Sequence, residues 1–479
     1  MSQSHSTEQP GTDGRATMSP LWLAIWAAAD KGLAMLYGIA SILITMRTLD
    51  KDEWGAWTIY SVVFMVITML GDFFLLQPMV KIAAESRDDP RPVITSSLLL
   101  YTVFSLVLAA IVMLFATPFA ALMKSPIVAD SFQLMGWMVL TNIVRSHSIR
   151  VLQIHYRIVA IFFVDLIYFA GLIVLMMMGM ANGTLSTSVD MVEYNIIAFG
   201  ASSLLGLGLA FRLMIPTFHH LADITRKLLK LGIHQGGTGV LTVLQQQSDV
   251  LIVSAIRGGA AAGIYGAART FYRFYDSMRD ATQLLLVPAT SRAYAQERME
   301  AVEEITELAT AAMMALMFPL TLGVIIAAPW VLPLILPKFP EAIDEFQWLI
   351  ANGFIIPFVI VPSVVLLSIG HTRDLFRGTL IGTAAIILTG SILTWFYGGV
   401  GMAGGVLFGT LVTAVLLTRR MNRYVPFTFR TVLRRSRSFG PMVRRRLAEF
   451  QFPARREDPP GSQKSKVKSQ KRDREGQAY

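Results

Sequence analysis

Residues 158–180 read IVAIFFVDLIYFAGLIVLMMMGM: one charge, Asp165, in 23 residues. As a helix rising about 1.5 Å per residue this stretch spans roughly 35 Å, enough to cross the ~30 Å hydrocarbon core of a bilayer. A soluble core helix has no use for an apolar surface on every side. The same pattern recurs along the chain. It gives twelve expected spans, near 21–46, 56–80, 94–116, 131–151, 158–180, 194–215, 237–256, 264–288, 305–328, 345–369, 375–397 and 399–420. The whole sequence is 54% hydrophobic and 15% charged, where a soluble domain carries about 25% charged residues. The blocks are far longer than the alternating segments of about 10 residues that build membrane β-barrels. The fold class is therefore all-α integral membrane.

The net charge of +10 misleads. From Arg419 onward there are eighteen Lys/Arg against five Asp/Glu, so the remainder of the chain is slightly acidic. Residues 422–479 are expected to form a basic cytoplasmic tail that is mostly disordered, with Phe439 to Phe452 as a basic amphipathic stretch suited to an anionic membrane surface or simply solvated. Residues 1–19 are polar and read as a disordered cytoplasmic leader, without the basic start, short apolar core and cleavage signal of a secretory peptide. Alternate short loops differ in Lys/Arg content: one set holds Lys81, Arg87, Arg91, Arg145, Arg150, Arg157, Arg212, Arg226, Lys227, Lys230, Arg292, Arg298, Arg373 and Arg377, the other only Arg47, Lys51, Lys124, Arg257 and Lys338. The richer set is expected in the cytoplasm, which puts both termini there.

A segment repeats at an offset of 208 residues. Glu53-Trp54-Gly55-Ala56-Trp57 aligns with Ala261-Ala262-Gly263-Ile264-Tyr265, and Phe64 and Asp72 fall on Tyr272 and Asp280. Each glycine is expected to make a tight turn at the start of a span. The repeat divides the chain into a six-helix lobe over 20–215, a cytoplasmic connector over 216–236 and a second six-helix lobe over 237–421, related as parallel copies. Chance similarity between two helix starts is the competing explanation.

Charge inside the membrane is concentrated in the eighth span, which carries Arg269, Arg273, Asp276, Arg279 and Asp280. At 100° per residue Arg269, Arg273, Asp276 and Asp280 share a stripe within roughly 60° of arc, with Arg279 to one side. Each such charge costs on the order of 2.5–3.5 kcal/mol at a helix centre, so the stripe must line a wet cavity or form a salt-bridge network between lobes. In the first case the Arg269 and Arg273 guanidinium forks suit phosphate oxygens, with Asp276 and Asp280 holding or releasing them. Asp30 and Lys31, Asp72, Asp165, and Asp249 after the polar run Gln245-Gln246-Gln247-Ser248 are further cavity or interhelical candidates. His155, His219, His220 and His371 lack metal-ligand spacing and read as interfacial. Pro288, Pro319, Pro329, Pro333, Pro337, Pro357 and Pro362 mark hinges or helix ends.

The chain has no cysteine, which excludes thiolate catalysis, disulfides and zinc–thiolate sites. No nucleophile–base, metal or phosphate-loop arrangement is visible, Gly236-Gly237-Thr238-Gly239 reads as a turn at the start of a span, and the short loops leave no room for a catalytic domain. An enzyme is not expected, nor a cofactor, nor a nucleic-acid partner.

Several stretches resemble a known family. Asp249-Val-Leu-Ile-Val-Ser, Gly258-Gly259, Ala262-Gly263-Ile264-Tyr265 and Ala267-Ala268-Arg269, with Arg47-Thr-Leu, Glu53-Trp-Gly55, Gly71-Asp72-Phe and the glycine-rich run from Tyr397 to Gly404, look like the polysaccharide-biosynthesis transporters. These are the O-antigen and exopolysaccharide flippases of the superfamily that also holds the MATE multidrug exporters. The resemblance covers about residues 20–425. It implies two six-helix lobes around a central cavity opening alternately to each side of a bacterial inner membrane, and a cargo of undecaprenyl-diphosphate-linked oligosaccharide moved to the periplasmic leaflet. Membrane lipids are implied contacts, and the long tail, a departure from the pattern, suggests an added membrane-surface or partner contact such as a polysaccharide polymerase or export component. The charge of the eighth span is a second departure. Two other functions stay open: a MATE-type exporter of small cations, which would favour acidic, arginine-poor walls, and a non-transporting scaffold of a polysaccharide assembly complex. The sugar, the coupling ion and the oligomeric state are not readable from the residues.

Overall fold

The computed structural model describes residues 20–86, 89–219 and 221–426. The leader, the tail beyond residue 426 and His220 lie outside the described residues. In hydrocarbon a backbone must satisfy its own N–H and C=O groups, so each apolar block becomes a helix. In chain order these are α1 (Pro20–Thr48); α2 (Lys51–Gly71), continued through a π-helical turn (Asp72–Leu76) into α3 (Gln77–Glu85); α4 (Arg91–Leu114); the short α5 (Ala116–Leu122) and α6 (Val128–Gln133); α7 (Met135–Ile154); α8 (Ile158–Asn182); α9 (Ser188–Ala210); α10 (Leu221–Arg257); α11 (Gly259–Ala295); α12 (Met299–Ile335); α13 (Ala342–Ile350); α14 (Pro357–Ser368); and α15 (Thr372–Met421). No strand occurs among the described residues.

By length and apolarity eight of these helical rods can cross a membrane, nine when α13 and α14, bent by 48° at their junction, count as one. Twelve is not reached on that measure. Helices α7 and α11 are more polar, and α15 is one assignment broken at Gly398 (φ 65°, ψ −141°). Its two arms fold back on each other. Gly405 lies against the Gly390 backbone, Gly409 against Ile386, and Gly382 against Thr413, the small-residue packing that lets membrane helices approach closely. Trp395, Phe396 and Tyr397, just before the break, are all exposed and suit a membrane–water interface.

Helices α1, α8, α9, α7 and α4 pack in succession as one group, and α10 to α15 pack as another. The α2 rod stands between them, packed along α11 and α10 as well as against α4 and α9. At one end, the first turns of α2 and α11 cross at the repeated glycines. A Cβ on Gly263 would sit 2.8 Å from the Lys51 carbonyl and 2.9 Å from the Gly55 nitrogen, and one on Gly55 would run into the Gly259 carbonyl. The Trp54 indole donates to the Gly263 carbonyl at 3.0 Å, Lys338 to the Thr48 and Leu49 carbonyls, each at 3.1 Å, and Lys124 to that of Ile256 at 2.7 Å. Lys51 pairs with Glu341 at 2.7 Å. At the other end Gly232 and Gly236 of α10 abut Phe74, and Gly239 abuts Phe73, both in the π-turn.

Three local expectations change. Gly55 and Gly263 are helical and serve close approach, not a turn. The expected connector is largely the first part of α10, which is helical from Leu221. Gly236-Gly237-Thr238-Gly239 lies inside that helix and is not a turn, since omitting Cβ at 236 and 239 gives the Phe73 and Phe74 rings their seat. Of the prolines, Pro288, Pro319, Pro329, Pro333 and Pro362 lie within helices, Pro357 begins α14 and Pro337 sits in a turn.

Candidate substrate cavity

A cavity of about 600 Å³ opens within the amino-terminal helix group. Its polar wall is Asp30 and Lys31 from α1, Asp72 from the π-turn, Tyr101 from α4, Arg145, Ser146, Arg150 and Gln153 from α7, and Asp165 from α8. Asp165 is the single charge in the apolar stretch 158–180. It is buried and pairs with the Arg145 guanidinium. Arg145 also donates through Nε to Ser202 at 3.1 Å and lies over the Tyr168 ring, 4.7 Å from its centroid. One turn and a half further along α7, Arg150 holds Asp72 Oδ1 through Nε at 3.0 Å and Nη2 at 2.7 Å, while Gln77 donates to Asp72 Oδ2 at 2.9 Å. Asp30 lines the same wall as Asp165, and its Oδ1 is buried with no partner. Lys31 is exposed.

The wall thus holds three cations and three carboxylates, so it is balanced when all are ionised. An arginine has five N–H donors. Neither Arg145 nor Arg150 spends all of them on its carboxylate, which leaves each able to bridge an acid and a bound anion.

The structure brings together Asp30, Lys31, Asp72 and Asp165 from the sequence candidates. It adds Arg145 and Arg150, which the sequence reading had assigned to a loop. The missed signal was the polar run Asn142 to Arg150 within one helix length: α7 continues to Ile154 and turns these arginines inward. Asp249 and Arg269 form a separate cluster between α10 and α11. Asp249 is buried, paired with Arg269, and accepts from the Tyr265 hydroxyl at 3.0 Å; Arg269 also donates to the Gln246 carbonyl. Nearby in the same helix group Glu345, also missed, is buried with Oε2 unpartnered beside Gly399. Arg279 is partly buried on α11. Helix α11 carries Arg273, Asp276 and Asp280, but their side chains lie outside the described residues. Outside the spans, the Lys51 ammonium beside Glu341 holds its carboxyl below the usual carboxylate range.

Long apolar helices in two groups about a bridging rod, with a charged cavity among them, define a multi-pass helical membrane protein. A family model described as polysaccharide biosynthesis protein matches residues 44–339, and the chain belongs to that family. A search of curated protein sequences gives no match. Among solved structures, the lipid II flippase MurJ in an inward closed conformation superposes with a TM-score of 0.69 at 13% identity, over 88% of this chain and 91% of that chain. An inward-facing multidrug resistance MATE family transporter of the MOP superfamily gives 0.69 at 13% identity, over 81% and 94%. An outward-facing one gives 0.55 at 14%, over 85% and 95%.

Proposed function

We propose that the chain is an alternating-access flippase that carries an undecaprenyl-diphosphate-linked oligosaccharide from the cytoplasmic to the periplasmic leaflet of a bacterial inner membrane. The observation that carries this reading is the arginine-bearing cavity beside α2. Diphosphate cannot shed its water into hydrocarbon unless positive groups replace it, and Arg145, Arg150 and Lys31 supply them. The closed crossing of α2 and α11 would be the periplasmic seal, with the cavity facing inward; the higher similarity to inward-facing than to outward-facing neighbours supports that assignment. Arg273, on α11, is the second candidate phosphate contact, while Arg269 holds α10 and α11 together through Asp249. The cytoplasm-negative potential favours export of the anion by about 2.3 kcal/mol per charge per 100 mV.

On this reading the chain has twelve spans in two lobes, counting α7, α11 and both arms of α15, with both termini in the cytoplasm. The test is flipping of undecaprenyl-diphosphate-linked oligosaccharide in vesicles holding the purified protein. Arg145→Gln with Arg150→Gln should abolish it at normal protein level, and full flipping by that variant would sink the proposal.

The three cavity carboxylates favour a second reading, a MATE-type exporter of small cations. That reading requires efflux of a lipophilic cation dye to depend on Asp30 and Asp165 and to survive loss of both arginines.

A further inference from the structure

A second cavity, about 590 Å³, lies on the outer face of the same helix group. It runs between α8 and α9 and is lined by Ile158, Phe163, Ile167, Leu205 and Leu209, with Arg157 at one end. Phe163, Ile167 and Leu209 are exposed, so the groove faces the bilayer. Its volume is within the roughly 300–1,000 Å³ of small-molecule sites. Arg157 reaches across its end to the Leu209 carbonyl at 3.3 Å, which uses one of five donors and sets the guanidinium where a headgroup phosphate meets the groove. Ile158 lines both this groove and the charged cavity. The first part of α8 therefore stands between the two, with Ile161 and Asp165 lining the charged side and Phe163 and Ile167 the apolar side.

An apolar groove and an arginine-bearing cavity that meet at Ile158, at the start of α8, match a molecule with one long hydrocarbon chain and a phosphate head. We propose that the α8–α9 groove holds the prenyl chain of the cargo while its diphosphate enters the cavity past Arg157 and Ile158. This rests on the flippase reading and adds where the chain lies. Hydrocarbon gains little by leaving lipid for an apolar groove, so the groove contributes direction: it aligns a chain whose head is held by Arg145 and Arg150.

The test uses the full chain in phosphatidylethanolamine–phosphatidylglycerol vesicles, with benzoylphenylalanine placed at Ile167 or, as a control elsewhere on exposed α8, at Val174. Radiolabelled undecaprenyl diphosphate should be captured at 167 and not at 174, and excess unlabelled undecaprenyl diphosphate should compete where added phosphatidylglycerol does not. Filling the groove with Ile167→Trp should slow flipping of undecaprenyl diphosphate and leave saturable binding of geranyl diphosphate, whose short chain does not need the groove, unchanged. Equal capture at both positions, or displacement by phosphatidylglycerol, means ordinary boundary lipid and overturns the proposal. Geranyl diphosphate binding that needs Arg145 and Arg150, without capture at 167, overturns the groove and leaves the flippase reading standing. Binding of neither diphosphate overturns both.

Discussion

Arg145 and Asp165 set the energetics at the scale of single residues. Both side chains are mostly buried, 13% and 12% exposed, and removing one partner of such a pair typically costs about 3–5 kcal/mol because the other charge is stranded. Arg145→Gln should therefore lower the melting temperature as well as stop transport. Adding Asp165→Asn should recover most of the melting temperature and none of the transport, if the arginine also meets the cargo. Joint recovery of both would reduce the pair to a structural tie. Arg145→Lys should keep partial transport, since charge survives and the fork does not. The Lys51–Glu341 pair is weaker, with side chains 37% and 55% exposed, and contributes roughly 0–1 kcal/mol. Its carboxyl is depressed in the closed form, so its contribution is complete above the ordinary glutamate value of about 4.3 and disappears only as pH falls through the lower, closed-state value. Spin labels at Asp130 and Asp344 should report the same closed fraction at pH 8 and pH 6, with opening at this end confined to strongly acid conditions; a transition near neutrality would place the pH-sensitive group elsewhere.

At the scale of elements, the crossing of α2 and α11 is held by what is missing from it. Gly55 and Gly263 bring two backbones into contact, and a side chain at either position has backbone, not a movable side chain, in its way. Overpacking of this kind costs about 1–3 kcal/mol, and 1.4 kcal/mol is a factor of about ten in an equilibrium. Gly55→Leu should cut disulfide trapping between cysteines introduced at 51 and 341, introduced into a chain that has none of its own; unchanged trapping would show that the crossing is not the seal. The sequence set these two segments side by side as similar, by the shared glycine and aromatic. It did not disclose that the two segments touch each other, because similarity between segments does not specify a contact. The same limit explains the arginines of α7. Arg145 and Arg150 near the end of an apolar block look like loop charges, and only the path of α7 through Ile154 shows them turned toward Asp165 and Asp72.

For the whole molecule, the helical membrane architecture was legible at once, since blocks of this length and apolarity have no soluble use. The expected blocks near 21–46, 94–116 and 158–180 coincide closely with α1, α4 and α8, whereas the block near 131–151 falls on α7, which is too polar to count as a span by length and apolarity. The charged stripe on α11 drew attention to the carboxy-terminal group, whereas the described cavity lies in the amino-terminal one, where each charge comes from a different helix and no linear pattern announces it. Orientation is the remaining global property. With Arg145 and Arg150 removed from the loop count, the loop set that includes Lys81, Arg157 and Lys230 still outweighs the set that includes Lys124 and Lys338. Single cysteines at Arg157 and at Lys124 should accordingly react with a membrane-impermeant thiol reagent from opposite sides, with Lys124 labelled in intact cells. The reverse pattern would invert the molecule and the direction of transport with it.

The π-turn at Asp72–Leu76 closes with the Gln77 amide bonded to the Asp72 carbonyl, one residue more than an α-turn holds. That surplus residue shifts the phase of everything after it by about 100°. Upstream of it the rod shows Gly55 to α11, and within it Phe73 and Phe74 face the glycines of α10. One continuous rod thus serves two neighbours on two faces, in the manner of a camshaft whose lobes are set at different angles on one axle. Deleting a single residue from the bulge would straighten the helix and retime its two ends, turning Gln77 out of register with the Asp72 carboxylate it bonds while leaving the Gly55 crossing untouched.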